Sequence, residues 1–220
     1  MQAIITMAMA LLLAAITPAA GAAAPAEAGE YRVSVTPFIG YQMGGDFDDE
    51  EDGGGEVSLD DDAVVGLIIN APADAMPNDG YTEWEFYYGR QSAGIDQAPV
   101  GVDAALEVEV SHFLVGGTYV GAGEQLRPYL AAGIGAAHLS PDAPGYDSDT
   151  VFAFGIGAGA QVFPANRVGL RLEARLLGSV IDSDSAIFCA SGSAGAGCAF
   201  RASADVLWQW AVFAGLTARF

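Results

Sequence analysis

The sequence contains no lysine, only two cysteines and, beyond its first residues, no long apolar run. Eight arginines face 28 acidic residues, so the formal net charge is −20. Such a chain lacks the basic surface that contacts nucleic-acid phosphates, and we expect no nucleic-acid partner. Because no later stretch stays apolar over about 18 residues, the sequence predicts no membrane-spanning helix.

The N-terminal region is typical of a secretory signal. The apolar run AIITMAMALLLAAIT is followed by Pro18 and by small residues that offer two cleavage tripeptides. A transmembrane anchor is the alternative, but the run is shorter than the ~20 residues that a spanning helix needs. We predict a signal peptide over residues 1–28, cleaved after Ala22 or Ala28, and one domain over residues 29–220.

The two cysteines, Cys189 and Cys198, lie in a segment rich in glycine, serine and alanine. In an exported chain such a pair predicts a disulfide, the alternative being two free thiols. Closing so short a loop would stabilise the protein by roughly 2–3 kcal/mol through the unfolded chain.

Apolar and small or polar residues alternate along most of the remaining chain. In VGLRLEARLL, residues 168–177, valine, leucine and alanine occupy one face, and glycine, arginine and glutamate most of the other. This period of two is typical of β-strands, and glycine and proline separate the segments. The predicted strands span residues 31–44, 64–73, 81–91, 106–120, 127–138, 151–163, 168–178 and 206–220.

The connections between these strands are alternately long and short. This alternation is typical of an outer-membrane barrel, whose outer loops are long and whose periplasmic turns are short. The sequence therefore predicts an all-β fold, an eight-stranded antiparallel up-and-down transmembrane β-barrel with long outer loops and short periplasmic turns.

A soluble barrel is the main alternative, and it would need a charged outer face. Residues 151–163 contain no charged side chain and residues 206–220 contain only Arg219. This favours lipid outside the barrel and a glycine-rich or polar interior. Trp208, Trp210 and Phe220 then lie on the lipid face, whereas a soluble barrel would bury them in its core.

Four segments carry a family resemblance: TPFIGYQMGGDF, RPYLAAGIGAAHLSP, NRVGLRLEARLLGSVIDSDSAIFC and LWQWAVFAGLTARF. They resemble the small outer-membrane β-barrel proteins of Gram-negative bacteria, the OmpA/OmpX/OmpW-like or porin-family class. The resemblance implies integral outer-membrane localisation, with lipid and lipopolysaccharide as neighbours. It also implies that Trp210, Leu216 and Phe220 form the C-terminal signal read by the barrel-assembly machinery.

Charged residues at inward-facing positions are the first candidate site. An eight-stranded barrel is only wide enough for its side chains, so a charge inside needs a partner. The third and seventh predicted strands lie on opposite walls of an eight-stranded barrel, so the glutamates of one can meet the arginines of the other. We expect an ion-pair network that plugs the lumen, with a narrow gated ion path as the alternative. The predicted members are Glu83, Glu85, Glu107, Glu109, Arg171, Glu173, Arg175 and Arg219.

An acidic segment, DFDDEEDGGGEVSLDDD, places ten acids in residues 46–62. The spacing of a calcium-binding EF-hand fails, because Leu59 occupies the position of the bidentate glutamate. We expect a hydrated outer loop. The alternative is weak divalent-cation binding, bridging to lipopolysaccharide phosphates, through Asp46, Asp48, Asp49, Glu50, Glu51 and Asp52.

His138 and Ser140 form the one pattern that suggests catalysis. A lipid-facing His-x-Ser resembles the outer-membrane lipid A deacylases, but Pro141 and Asp142 replace the context that those enzymes have. Nucleophilic catalysis needs a base held by a third group, and only Asp142 is near in sequence. We therefore expect no enzyme and no cofactor, and a structural role for His112.

The sequence thus predicts a monomeric outer-membrane barrel with a structural or surface-interaction role through its acidic outer loops. A narrow channel for ions or small solutes is the alternative function, and a lipid A hydrolase is a remote one.

Overall fold

The computed structural model describes residues 33–43, 46–48, 56–58, 61–75, 80–94, 107–123, 125–141, 148–162, 167–181, 189–192, 195–198 and 205–220. The predicted signal peptide lies outside these residues. Within them, no helix is long and apolar enough to cross a membrane. The strands are β1 (Ser34–Met43), β2 (Asp46–Asp48), β3 (Glu56–Ser58), β4 (Asp62–Ala75), β5 (Tyr81–Gly94), β6 (Glu107–Val120), β7 (Leu126–Pro141), β8 (Asp149–Val162), β9 (Val168–Ile181), β10 (Cys189–Gly192), β11 (Gly195–Cys198) and β12 (Asp205–Arg219).

Eight of these strands close into one antiparallel barrel. Their order around it is β1-β12-β9-β8-β7-β6-β5-β4, and β1 closes it by pairing with both β12 and β4. Each predicted strand matches one barrel strand to within three residues at either end. The predicted fold class is confirmed. The short strands form two separate hairpins, β2–β3 and β10–β11, inside long connections.

The two ends of the barrel differ. Both chain ends of the barrel and the β4–β5, β6–β7 and β8–β9 connections lie at one end, which we call the short-turn end. The connections that contain the two hairpins, together with β5–β6 and β7–β8, lie at the other, the long-loop end. This alternation follows from the up-and-down order, because each successive strand reverses direction.

The outer face of the barrel is apolar and the inner face carries polar and charged groups. Trp84 and Leu216, for example, are 64% and 65% exposed, whereas Arg171 is completely buried. Every barrel strand contributes to the outer apolar belt, through Ile39, Val65, Trp84, Val115, Ile134, Ile156, Leu172 and Leu216. A soluble barrel has the opposite arrangement, so this one is built for a lipid surrounding.

Introducing a charge into the belt tests its environment. We expect Val115→Lys, near the middle of β6, to lower the free energy of unfolding in lipid vesicles by about 2–4 kcal/mol, because the ammonium must leave water. Val168→Lys, at the short-turn end of β9, is the matched control and should cost at most about 1 kcal/mol, because the side chain reaches the interface. Denaturant unfolding measures both, and equal effects would contradict a lipid-facing belt.

Candidate functional site

Four charged side chains meet in the middle of the barrel interior. Arg171, Glu173 and Arg175 alternate along β9, and residues two apart on a strand share a face, so all three point inward. Glu85 reaches them from β5, on the opposite wall. All four are buried. We call these four residues the ion-pair ring.

The ring is closed by four short contacts. Arg171 Nη2 lies 2.8 Å from Glu85 Oε2 and 2.7 Å from Glu173 Oε2. Arg175 lies 2.6 Å from the other oxygen of each carboxylate, Oε1 of Glu85 through Nη2 and Oε1 of Glu173 through Nε. Each carboxylate therefore bridges both guanidinium groups, and the ring carries no net charge. Charge-assisted bonds of this kind are the strong ones in a protein interior.

Neutral groups satisfy the remaining positions of the ring. The Tyr129 hydroxyl donates to Glu173 Oε2 at 2.7 Å and accepts from Arg171 Nε at 2.9 Å. Thr118 Oγ1 donates to Glu85 Oε2 at 2.6 Å, and Arg171 Nη1 donates to Asn70 Oδ1 at 3.0 Å. None of these three neutral partners was among the predicted members of the network, which were all charged residues. Their signal was present in the alternation of the strands, which places all three at inward positions.

Aromatic side chains pack against the ion-pair ring, Tyr87 on its long-loop side and Tyr129 toward the short-turn end. The guanidinium carbon of Arg175 lies 4.1 Å from the centre of the Tyr87 ring, and that of Arg171 lies 4.4 Å from the Tyr129 ring. Phe38 stacks on Phe213 and on Tyr87, with centroid separations of 4.2 and 5.5 Å. Such cation–π and stacked contacts add to the stability of the filled interior.

Two further groups of side chains occupy the interior toward the long-loop end. The first is polar: Gln209 donates to Gln91 Oε1 at 3.4 Å, and His112 Nε2 lies 3.2 Å from Ser179 Oγ. The second is a buried aliphatic group, formed by Val64, Val108, Val110, Leu139, Ile181 and Leu207. An eight-stranded barrel has only enough interior for its own side chains, and here these groups fill it.

Two other predicted members of the network lie nearer the short-turn end. Arg219 Nη2 donates to the Tyr81 hydroxyl at 3.4 Å and to Gln161 Oε1 at 3.3 Å. Glu83 is buried on the inner face of β5, two residues before Glu85. Neither residue belongs to the ion-pair ring.

The prediction that Glu109 faces the lumen is wrong. Inward positions of β6 are the even-numbered ones, including Val110 and His112, and Glu109 lies on the outer face. There it contacts Arg90 Nη2 at 2.5 Å, and the two side chains are 34% and 50% exposed. Glu107 is the first residue of β6, and its side chain is outside the described part of the chain.

The physical reason for this error is the position of the charges along the strand. Both faces of β6 are apolar over much of their length, so the two glutamates alone decided the predicted orientation. They lie at the long-loop end, where an outward side chain reaches the membrane surface. The outward Phe113, Val115 and Tyr119 give the correct orientation.

His138 and Ser140 lie on the outer face of β7, near the long-loop end. His138 Nδ1 is 2.9 Å from Thr150 Oγ1 on β8. The partner that the structure describes for this histidine is therefore a hydroxyl, and Asp142 lies outside the described residues. A catalytic triad needs a group that orients the base and stabilises its positive charge, which a threonine hydroxyl does poorly.

The cysteines and the acidic loop are described only in part. Cys189 and Cys198 occupy opposite positions of the β10–β11 hairpin. Directly opposed residues in an antiparallel pair have Cα separations of about 4.5–5.5 Å, which a disulfide can span. The disulfide stays a prediction. Asp46 and Asp48 lie in β2, and residues 49–52 lie outside the described part of the chain. Among the described residues no cluster of metal-ligating side chains occurs.

The expected assembly residues share the outer face of β12. Trp210, Leu216 and Phe220 are all exposed there. The backbone N–H of Phe220 donates to the carbonyl of Val33 at 2.9 Å, which fixes the last residue beside the first described one. Recognition by the assembly machinery stays a prediction.

Comparison with known proteins rests on structure. No protein-family model matches the chain, and no curated protein sequence matches it. The neisserial surface protein NspA is similar, with a TM-score of 0.52 and 12% identity over 86% of this chain and 97% of that one. OprG from Pseudomonas aeruginosa is similar too, with a TM-score of 0.52 and 9% identity over 86% and 96%. The chain has the fold of the small outer-membrane β-barrels. At these identities the likeness shows the fold alone.

Removing one arginine from the ion-pair ring tests its energetic weight. We expect Arg171→Met to lower the free energy of unfolding by about 3–5 kcal/mol, because two buried carboxylates lose a counter-charge. Arg90→Met is the matched control and should cost less than about 1 kcal/mol, because its pair is exposed. Denaturant unfolding in lipid vesicles compares them, and similar losses for both variants would contradict a stabilising ring.

A glycine opposite the ring offers a second test. A Cβ at Gly157 would collide with the Glu173 carboxylate, whereas one at Gly117 would meet only the carbonyl oxygen of Glu83 at 3.4 Å. We expect Gly157→Ala to cost about 1–3 kcal/mol of unfolding free energy through overpacking. Gly117→Ala should leave stability unchanged or slightly raised, since alanine restricts the unfolded chain. Equal stability of the two variants would show that the ring has room to move.

Proposed function

We propose that the protein is a monomeric, integral outer-membrane barrel that acts in envelope structure or surface interaction through its acidic long loops, and that its lumen does not conduct. The short-turn end then faces the periplasm and the long-loop end faces the outside. The filled interior is the single observation that carries this proposal, since it leaves the loops as the part that meets other molecules.

The ion-pair ring favours a closed lumen over a lumen that conducts ions. Conduction needs sites that bind an ion weakly enough to release it, on a route that water can follow. Here both carboxylates are already bridged at 2.6–2.8 Å by two guanidinium groups. A passing cation would have to displace an arginine from a neutral cluster, and the separated charges would each cost several kcal/mol.

The aromatic and aliphatic groups strengthen the same argument. Phe38, Tyr87 and Phe213 lie directly on the long-loop side of the ring, and an aliphatic group lies beyond them. An ion released from the ring would therefore meet an apolar barrier, where its desolvation is not compensated. The alternative function, a narrow channel, requires both barriers to open together.

The charge distribution supports a role for the loops. Of the 28 acidic residues, 15 fall in the four connections at the long-loop end, and nine of these lie in residues 46–61. A hydrated negative surface of this kind repels anionic molecules and attracts cations. Its partners would be cationic surfaces, or lipopolysaccharide phosphates bridged by divalent cations. Membrane lipid and the assembly machinery are the other proposed partners.

Single-channel conductance in a planar bilayer tests this proposal. We expect the refolded protein to be silent. An Arg171→Ala, Arg175→Ala double variant should remain free of steady openings, because the apolar barrier of Phe38, Tyr87 and Phe213 persists. A general porin refolded in the same way serves as the positive control. Steady, ion-selective openings from the unmodified protein would overturn the proposal and make the ring a gate.

A further inference from the structure

A polar cluster interrupts the apolar outer face near the long-loop end of β5 to β8. Pairing aligns Arg90, Ser111, His138 and Thr150 in one row across these four strands, and Glu109 lies opposite Ser140 in an adjacent row. All occupy the outward positions of their strands, and one of them, Ser111, is buried among its neighbours. We call these six residues the rim patch.

The contacts that the structure describes join members of the rim patch into two groups, one around Glu109 and one between His138 and Thr150. Arg90 contacts Glu109 at 2.5 Å, Ser111 Oγ donates to Glu109 Oε1 at 3.4 Å, and His138 contacts Thr150 at 2.9 Å. The one guanidinium and the one carboxylate compensate each other. The patch therefore presents hydrogen-bond donors and acceptors from hydroxyl, imidazole and ionised groups, with little net charge.

The rim patch is confined to one side of the barrel. On the other side, the long-loop ends of β1 and β12 expose Tyr41, Trp208 and Trp210 instead. Next to the patch, one step toward the membrane centre, Tyr88 and Phe113 form a ring pair with centroids 4.9 Å apart. One wall of the barrel thus offers a polar surface directly above an aromatic one, at the height where lipid headgroups begin.

We propose that the rim patch binds the saccharide headgroup of an outer-leaflet glycolipid, whose acyl chains lie against Tyr88 and Phe113. Sugars present many hydroxyls, each both donor and acceptor, and the mixed groups of the patch match them. A site for phosphate would hold an arginine free for bidentate contact, but Arg90 is paired with Glu109. The aromatic pair offers an apolar surface to acyl chains, so the proposed ligand is a sugar carried by a lipid and not a free sugar.

Native mass spectrometry of the detergent-refolded full chain tests the proposal. The probes are rough lipopolysaccharide, its acyl-free core oligosaccharide and phosphatidylglycerol. The test variants are Arg90→Ala with Glu109→Ala, which keeps the net charge, and His138→Ala. Asp74→Ala, a change of an exposed acid at the short-turn end of β4, far from the patch and from the long loops, is the control. Heat-modifiable gel mobility checks that every variant is folded.

We expect rough lipopolysaccharide to bind the unmodified chain and the control equally, and the patch variants about tenfold more weakly, as for the loss of one or two hydrogen bonds. Raising the salt from about 50 to about 500 mM should change binding little, because the contacts are not charge-driven. The acyl-free oligosaccharide should bind far more weakly than the whole lipid.

Three results would overturn the proposal. Unchanged binding by both patch variants would show that the patch is only hydrated at the membrane surface. Equal binding of phosphatidylglycerol, or a steep loss with salt, would make the recognised group a phosphate. Equal binding of the free oligosaccharide would remove the role of the aromatic pair. Each result is independent of conductance, so failure here leaves the proposed function untouched.

Discussion

The mutual neutralisation of Glu85, Glu173, Arg171 and Arg175 is the interaction on which the interior depends. It joins β5 to β9 across the full width of the barrel, and no member can leave without exposing a charge to a low-dielectric interior. Long side chains at the centre also require small neighbours. This explains the glycines of β8, since a Cβ at Gly157 or Gly159 would meet the ring or the tyrosine that supports it.

Much of the fold is predictable because lipid and barrel geometry impose a simple rule. In β9, outward leucines alternate with inward arginines and glutamate, so the strand, its orientation and its charged partners on the opposite wall follow from the sequence. The rule fails where both faces are apolar. In β6, the charge of Glu109 led to the wrong prediction of its face. The surroundings of the outer face change along the strand from lipid to the membrane surface, where an outward charge is tolerated.

The detailed contacts of the site were beyond sequence reasoning for a different reason. Whether Tyr129, Thr118 and Asn70 touch the ring depends on the stagger of strands around a closed barrel, which accumulates over eight pairings. Alternation tells which residues point inward and not which heights they share. The outer row from Arg90 to Thr150 was hidden in the same way, because its members come from four strands.

The pairing of β1 with β12 joins the first and the last strand of the barrel and closes it. Ser34 pairs with Arg219 there and Met43 with Trp210, while inside the barrel the hydroxyls of Thr36 and Thr217 lie 2.8 Å apart. Until β12 arrives, β1 and β9 each present an edge of unpaired N–H and C=O groups, which hydrocarbon does not solvate. A chain that lacks β12 would therefore keep two open sheet edges, and a bilayer excludes such edges from its hydrocarbon core, so β12 is required before the other seven strands can span a membrane.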